Sequence, residues 1–157
     1  MRNSKEMQKK FSGFTLVELM MVVSIIGILL EISVFSLQKS KRSGRDAKRK
    51  SDLEMIRSGI EIYRADCRVY PLTNELVFGS SLNGTEDSGS CESANEYIKE
   101  IPNDSESPSR SYSYYSLDGI SYKICASLEN EPLSTPSPED LTNCNCVTNC
   151  NYVVTSP

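Results

Sequence analysis

The feature that most constrains this chain is an apolar run of 24 residues, Phe14–Leu37, broken only by serine, threonine, glycine and two glutamates. As an α-helix the run would be about 36 Å long, enough to cross a bilayer core of about 30 Å. A chain of 157 residues is too small to bury such a helix in its own core. A cleaved secretory signal would end in a small-residue cleavage site, which residues 34–41 (VFSLQKSK) do not offer. The run therefore predicts a membrane-spanning helix that stays in the chain.

The charges divide the chain into a basic first third and an acidic remainder. Residues 1–50 contain 11 Lys or Arg and 4 Asp or Glu, whereas residues 51–157 contain 6 and 17. The segment after the apolar run, residues 39–50, is the most basic and is called the basic belt below. The belt is suited to lipid headgroups or to the acidic part of a neighbouring subunit, with the solvated face of a helix as the alternative. Binding to nucleic acid is not expected, because the exposed part of the chain is acidic.

Glu18 lies inside the apolar run, one helical turn from its start, with no Lys or Arg at helical spacing. A carboxylate near the hydrocarbon centre costs about 2.5–3.5 kcal/mol on insertion scales, so intramembrane carboxylates usually serve a purpose. The alternative is that Glu18 lies at the interface and extends its carboxylate to water. Glu31 lies near the other end of the run and is interpreted as interfacial.

The residues around Glu18 carry a resemblance to a known family. Residues 13–19 read GFTLVEL, follow a short basic leader and precede the apolar run. This pattern resembles the type IV prepilin signature of type IV pilins and type II secretion pseudopilins. The resemblance implies that a prepilin peptidase and N-methyltransferase removes leader residues 1–13 between Gly13 and Phe14 and that the new amino group of Phe14 is methylated. It also implies that Glu18 registers an incoming subunit against the terminal amine of a neighbour.

The same resemblance implies a location and partners. The chain would cross the cytoplasmic membrane once, with its amino terminus inside and its head outside, and then enter an extracytoplasmic filament or reach the cell surface. Its partners would be copies of itself, the processing enzyme, membrane lipid and an inner-membrane assembly platform. The Lys and Arg distribution alone, with 4 before the run and 7 in the basic belt, favours the opposite orientation. The motif and six cysteines beyond the run favour the implied one.

Residues 38–66 predict a basic, amphipathic continuation of the helix. Apolar residues recur there at helical spacing and form one stripe: Leu53, Ile56, Ile60 and Tyr63. Gly59 would weaken the helix by about 1 kcal/mol relative to alanine, and Tyr70-Pro71 would end it, because proline cannot continue the hydrogen-bond ladder. A helix from Phe14 to Asp66 would be about 80 Å long. Its first half must therefore pack in lipid or against copies of itself, which indicates an assembly.

Residues 67–157 predict an acidic head with a small antiparallel β-sheet. Residues 111–117 and 120–128 are rich in β-forming residues and are joined by Asp118-Gly119, which predicts a β-hairpin over 111–128. Residues 72–93 predict a long loop with one short helix around Asn74–Phe78, and residues 129–140 predict irregular surface. The fold class is therefore α+β, and the order of long helix, loop and antiparallel strands resembles the pilin fold.

Part of the head resembles the major pseudopilin of type II secretion, in Tyr70-Pro71 and in the sequence YIKEIPND at residues 97–104. In that subfamily the loop near these strands often holds calcium. Asp104, Glu106 and Asp118 are oxygen donors in this region, but they form no compact ligand pattern. We expect no cofactor, with calcium in the head as the alternative.

All six cysteines lie beyond the apolar run: Cys67, Cys91, Cys125, Cys144, Cys146 and Cys150. An even number on the exported side predicts disulfides, with 15 possible complete pairings. Residues 144–150 (CNCVTNC) could instead bind a thiophilic metal, but the C-x₂-C spacing of zinc sites is absent. Disulfides are the favoured interpretation, and no metal site is expected.

These features favour a structural protein, the subunit of a type II secretion pseudopilus or a type IV pilus. A second hypothesis is a minor pilin or adhesin, whose head would bind a ligand or DNA. A third is a membrane-tethered thiol or metal module. Catalysis is not expected, because the chain contains no histidine and shows no nucleophile and base at a recognisable spacing.

Overall fold

The structure is a computed structural model that describes residues 13–85, 91–130 and 136–157. One long helix, α1, runs from Leu16 to Cys67. It is followed by five short strands: β1 Leu82–Asn83, β2 Glu96–Ile98, β3 Ser113–Tyr115, β4 Lys123–Ala126 and β5 Tyr152–Thr155. The predicted α+β fold class, a long helix followed by small antiparallel sheets, is confirmed.

The chain divides into two compact units, residues 1–40 and 41–157. In the first unit, the side chains at residues 14–33 and 36–40 are all exposed in the single chain. This part of α1 is long and apolar enough to cross a membrane. The predicted leader, residues 1–13, lies outside the described residues except for Gly13.

The second unit, the head with the last part of α1, has a core built on the predicted stripe. Leu53, Ile56, Ile60 and Tyr63 are all fully buried, which confirms the helical spacing seen in the sequence. The side chains that cover them come from the loops and the larger sheet: Tyr70, Leu82, Ile101, Tyr112, Tyr122, Ile124 and Val154. Aromatic packing is prominent, because the rings of Tyr70 and Tyr122 meet edge to face at 4.7 Å.

The helix ends at Cys67 because Arg68 adopts a left-handed conformation, with φ at 68°. The N–H of Arg68 donates to the carbonyl of Arg64 at 2.8 Å and so satisfies one of the last helical carbonyls. Tyr70 then donates its N–H to the carbonyl of Gly119, also at 2.8 Å. The chain therefore turns directly onto the tip of the hairpin, and Pro71 follows after the helix has already ended.

The larger sheet has the strand order β3-β4-β5, with all pairs antiparallel. Its first pair confirms the predicted hairpin: Ser113 pairs with Cys125, and Gly119 in the connection has a φ of 68°. The third strand, β5, was not predicted; it pairs with β4 through Ile124 and Val154. Strands β1 and β2 form a separate two-stranded sheet.

The short helix predicted around Asn74–Phe78 is wrong. Residues 73–75 form a turn, in which the Glu75 carboxylate accepts the N–H of Leu72 at 2.6 Å. The N–H of Glu75 closes this turn on the carbonyl of Leu72 at 3.0 Å, and the N–H of Thr73 donates to the carbonyl of Ser116, just after β3, at 3.1 Å. Tertiary hydrogen bonds outweigh the local helical preference here.

Gly59 marks the closest approach between α1 and β2. A Cβ at this position would lie inside van der Waals contact of Cγ1 and Cδ1 of Ile98. The glycine that weakens the helix in sequence terms therefore lets the helix and the strand pack against one another.

Candidate functional site

The start of α1 is organised by a capping box between Thr15 and Glu18. Thr15 is the last residue before the helix, and its Oγ1 accepts the N–H of Glu18 at 3.3 Å. In return, Oε2 of Glu18 accepts the N–H of Thr15 at 3.0 Å and its hydroxyl at 2.9 Å. The pair satisfies donors that the first helical turn would otherwise leave open. Glu18 is thus hydrogen-bonded within its own chain, although it lies in the apolar run.

Gly13 and Phe14 precede the helix in exposed chain without regular secondary structure. Phe14 is 92% exposed, so the peptide bond between the two residues is accessible to an enzyme. A Cβ at Gly13 would meet nothing within 4 Å. The fold of this chain therefore does not require a glycine at position 13, and a requirement for glycine would have to come from an enzyme that recognises this bond.

Two serine hydroxyls in the apolar run are hydrogen-bonded to carbonyls of the preceding helical turn. The Ser24 hydroxyl donates to the carbonyl of Met21 and the Ser33 hydroxyl to that of Leu29, each at 2.8 Å. Such bonds back to the preceding turn let hydroxyls enter an apolar environment without an unpaired donor. Glu31 is exposed near the end of the run.

The most strongly charged part of the head is an ionic network, the charge cluster, between α1 and two loops of the second unit. It contains four arginines and four carboxylates: Arg42, Arg45, Arg49, Arg110, Asp46, Asp104, Glu106 and Glu129. At its centre, Arg49 has an exposed fraction of 0%. A buried guanidinium is tolerated only when its donors are all satisfied.

Arg49 meets this requirement, because each of its five N–H groups has an acceptor. Asp104 accepts from Nε at 2.7 Å and from Nη2 at 3.2 Å. The second N–H of Nη2 donates to Glu106 at 2.9 Å. The two N–H groups of Nη1 donate to Asp46 at 2.8 Å and to Glu129 at 3.0 Å. The guanidinium therefore fixes two loops of the head against α1.

Asp46 holds the loop after β4 by a second set of bonds. Its carboxylate accepts the backbone N–H groups of Glu129 and Asn130, both at 2.9 Å, and the side-chain amide of Asn130 at 2.8 Å. Burial disfavours the ionised carboxylate, but these bonds outweigh it and lower the pKa of Asp46. The loop is therefore attached to the helix through both backbone and side chain.

Glu129 is the carboxylate whose titration is most altered. Arg45 donates to its two oxygens, with Nε and Nη2 each at 2.5 Å. These bonds, with a smaller contribution from Arg49, lower the pKa of Glu129 to about 2, against the opposing effect of burial. Glu129 is therefore ionised over the whole physiological range.

The charge cluster corrects the interpretation of the basic belt for two of its arginines. Arg45 and Arg49 pair with carboxylates of their own head, so they are not free for lipid headgroups or for a neighbouring subunit. The remaining basic side chains of the belt are exposed: Lys39, Lys41, Arg42, Lys48 and Lys50. Lys50 also lies 5.4 Å from the ring centre of Tyr152, and Arg42 lies at the edge of the cluster.

The sequence did contain a signal for the buried role of Arg49. Asp46 and Arg49 continue the apolar stripe toward the amino terminus, at the same alternating spacing of three and four residues that connects Leu53 to Tyr63. A charged residue on the buried face of a helix predicts a buried partner. The identity of the partners could not be read from the sequence, because they lie 55 to 84 residues away.

The three proposed calcium donors, Asp104, Glu106 and Asp118, do not converge on one site. Asp104 and Glu106 bind Arg49 in the charge cluster. Oδ1 of Asp118 accepts the N–H of Ile120 at 3.0 Å at the tip of the hairpin. Within residues 13–85, 91–130 and 136–157, no group of three or more Cys, Asp or Glu side chains could hold a metal ion.

The six cysteines form three disulfides, as predicted, and the structure selects one of the possible pairings. Cys67–Cys91 attaches the end of α1 to the loop before β2, Cys125–Cys144 joins β4 to the following segment, and Cys146–Cys150 closes a small loop. Their Cα–Cα distances of 4.6, 5.8 and 5.6 Å lie in the usual range for disulfides. None of these six cysteines is left free, which favours disulfides over a thiol-based metal site.

Comparisons with known proteins agree with this geometry. Residues 8–30, which include Gly13, Phe14 and Glu18, match the prokaryotic N-terminal methylation motif. Type II secretion system core protein G of Vibrio cholerae is 32% identical over 100 residues, which are 64% of this chain and 68% of that protein. This chain belongs to the core protein G family.

Other core G proteins match over a shorter stretch. The protein of Escherichia coli K12 is 36% identical over 66 residues, and that of Aeromonas hydrophila is 34% identical over 68. These matches cover 46% and 48% of the two relatives, so similarity to them extends over about half their length. No solved structure matches this chain.

Proposed function

We propose that this chain is a structural subunit of a type II secretion pseudopilus, held in the membrane by α1 and polymerised through it. The observation that carries this proposal is the sequence GFTLVEL at residues 13–19, placed at the start of a helix whose apolar side chains over residues 16–33 are all exposed. Membership of the core protein G family favours a pseudopilus over a pilus. The role is structural, and no chemistry is assigned to the head.

Processing would occur at the Gly13–Phe14 bond. The bond lies in exposed, non-helical chain immediately before the helix, which supports cleavage there by a prepilin peptidase. Methylation of the new amino group would follow at Phe14, in agreement with the matched methylation motif. After cleavage, the amino terminus lies one helical turn from Glu18.

Glu18 would act in assembly by exchanging partners. In the single chain, its carboxylate accepts two hydrogen bonds from Thr15, which lowers the cost of holding it in lipid. In a filament, the charged terminal amine of a neighbouring Phe14 offers a charge-assisted bond, which is stronger than a neutral one in a low dielectric. The capping box therefore supports a role in which Glu18 is protected first and then paired.

The location follows from the same proposal. The amino terminus would face the cytoplasm, where the processing enzyme acts, and the disulfide-bonded head would lie outside, where thiols are oxidised. The partners would be copies of this chain, the processing enzyme, an inner-membrane assembly platform and membrane lipid.

Intact mass and amino-terminal sequencing of the chain extracted from its host membrane test the processing step. The expected result is a chain that starts at methylated Phe14. A chain that starts at Met1, or one cut beyond Leu37, would overturn the assignment of Gly13–Phe14 as the scissile bond.

A pair of variants tests the role of Glu18. Glu18→Ala should be processed normally but should fail to enter filaments, as measured by shearing and electron microscopy of cells that express only the variant. Glu31→Ala is the matched control, because it removes the other carboxylate of the same apolar run and should assemble. Equal loss of filaments in both variants, or normal filaments from Glu18→Ala, would refute a specific role for Glu18.

A further inference from the structure

The head contains oxygen-rich positions of the kind that bind divalent cations, and two of them hold side-chain cations of the same chain. We propose that Arg49, and at a second position Lys123, serve as the structural cations of the head, so that its described part, residues 41–85, 91–130 and 136–157, does not depend on calcium for its fold. The proposal goes beyond the role in a filament, because it concerns what holds residues 41–157 together.

The occupancy of the carboxylates is the first argument. Calcium would need free oxygens on Asp104 and Glu106, but both oxygens of Asp104 accept hydrogen bonds from Arg49. Oε2 of Glu106 accepts from Arg49, and Oε1 lies 3.3 Å from Nε of Arg45. An ion could enter only by displacing a fully buried guanidinium whose five donors are all satisfied.

The charge balance is the second argument. Four arginines meet four carboxylates in the charge cluster, so its formal charge is zero without any ion. A divalent cation would add two uncompensated positive charges next to side chains that are withdrawn from water. The Coulomb term would oppose binding, because such repulsion is weakly screened away from solvent.

The position of Asp118 is the third argument. Its Oδ1 accepts the N–H groups of Ile120 and Ser121, at 3.0 and 3.4 Å. These bonds lower the pKa of Asp118, with the bond from Ile120 contributing most. The carboxylate thus stabilises the exposed hairpin connection and is engaged by backbone there.

Lys123 provides the second cation, at a more exposed position than Arg49. Its Nζ donates to the carbonyls of Glu139 and Asp140, at 3.0 and 3.1 Å, and lies 3.4 Å from Oγ1 of Thr142. Backbone carbonyls that converge from one turn are typical ligands of calcium. Here they surround an ammonium group, whose three donors match the three oxygens.

Thermal unfolding of the full chain in detergent tests the proposal directly. The chain has eight tyrosines and no tryptophan, so near-ultraviolet circular dichroism of tyrosine reports the head. Tm should be the same in excess EGTA, in millimolar calcium and in millimolar magnesium. A saturable increase of Tm with calcium, absent with magnesium, would overturn the proposal, because a ligand that binds the native state raises Tm by mass action.

A variant pair tests whether Arg49 supplies the stabilising charge. Arg49→Met should lower Tm by several degrees or more, whereas Lys48→Met, on the exposed neighbouring position, should change it little. An Arg49→Met variant with unchanged Tm would refute the role of Arg49. If Arg49→Met does not fold, the Tm of Lys123→Met is measured in EGTA and in calcium. Its Tm should fall below that of the native chain by the same amount in both, and a smaller fall in calcium would refute the proposal.

Discussion

Arg49 and Asp104 form a bidentate ion pair between α1 and the loop after β2, with N–O distances of 2.7 and 3.2 Å. Both side chains are buried. The pair joins residues 55 positions apart. The head is therefore held against α1 by a buried ion pair as well as by its apolar core.

Asp104→Asn should therefore destabilise the head strongly. It leaves the buried guanidinium without one of its counter-charges, which typically costs about 3–5 kcal/mol. Glu54→Gln is the matched control, because Glu54 pairs with Arg57 on the same helix at 3.6 Å but in exposed positions, where pairs contribute about 1 kcal/mol or less. Urea unfolding followed through tyrosine signals measures both, and equal effects would contradict the importance of burial.

The free energy of unfolding should fall as the pH drops below about 4.5. Glu129 has an ordinary pKa of 4.5 and a folded pKa of about 2, and the pKa of Asp46 is also lowered. A lowered folded pKa stabilises the native state above the ordinary value, and this stabilisation is lost as the pH falls toward 2. Stability measured across this window should have a positive slope. Glu129→Gln should flatten it, and an unchanged slope would argue against the Arg45–Glu129 bonds.

Alanine at the two glycines of the basic half of α1 should have opposite effects. Gly44→Ala should stabilise by up to about 1 kcal/mol, because nothing lies within 4 Å of its Cβ position and alanine favours helix. Gly59→Ala should destabilise by about 1–3 kcal/mol, because the new methyl group meets Ile98. Thermal unfolding of the two variants measures the difference. A stabilised Gly59→Ala would mean that α1 and β2 are not closely packed.

Removal of the Thr15 hydroxyl should affect assembly more than processing. Thr15→Val keeps the shape of the side chain but loses the two bonds that the hydroxyl makes with Glu18, at a cost of about 1 kcal/mol for the cap. Thr15→Ser keeps the hydroxyl and should behave as the native chain. Filament yield and amino-terminal sequencing distinguish the steps. Equal filament yields from the two variants would exclude a contribution of the capping box.

The disulfides should differ in their contribution to stability. Cys67–Cys91 closes a separation of 24 residues and Cys146–Cys150 one of only 4. The chain-entropy relation then favours the first by about 1.5 kcal/mol. Double replacement by serine of each pair, followed by denaturant unfolding, measures this difference. A larger loss from the Cys146–Cys150 pair would contradict the entropic estimate.

Local patterns in the sequence were sufficient for several elements. The apolar run and the stripe from Leu53 to Tyr63 gave the extent of α1 within two residues. The hairpin followed from Asp118-Gly119 between two β-rich segments. Each of these depends on periodicity or turn chemistry within about ten residues, which a single sequence displays directly.

The elements that were missed depend on distant partners. Strand β5 is a run of only four residues (YVVT), and its pairing with β4 joins positions about 30 residues apart. The turn at Thr73 is fixed by Ser116, 43 residues away. The seven residues of the CNCVTNC segment likewise do not reveal which thiols pair. Such choices are made by the tertiary structure, so the local sequence leaves them open.

The separation of 84 residues between Asp46 and Asn130 also affects the kinetics of folding. Contacts of this span give a high contact order, and they form only after a long loop has closed. The helix can form early from local bonds, but Arg49 and the apolar stripe stay uncovered until residue 130 reaches residue 46. We therefore expect the head to complete its folding late, rather than progressively as the chain emerges.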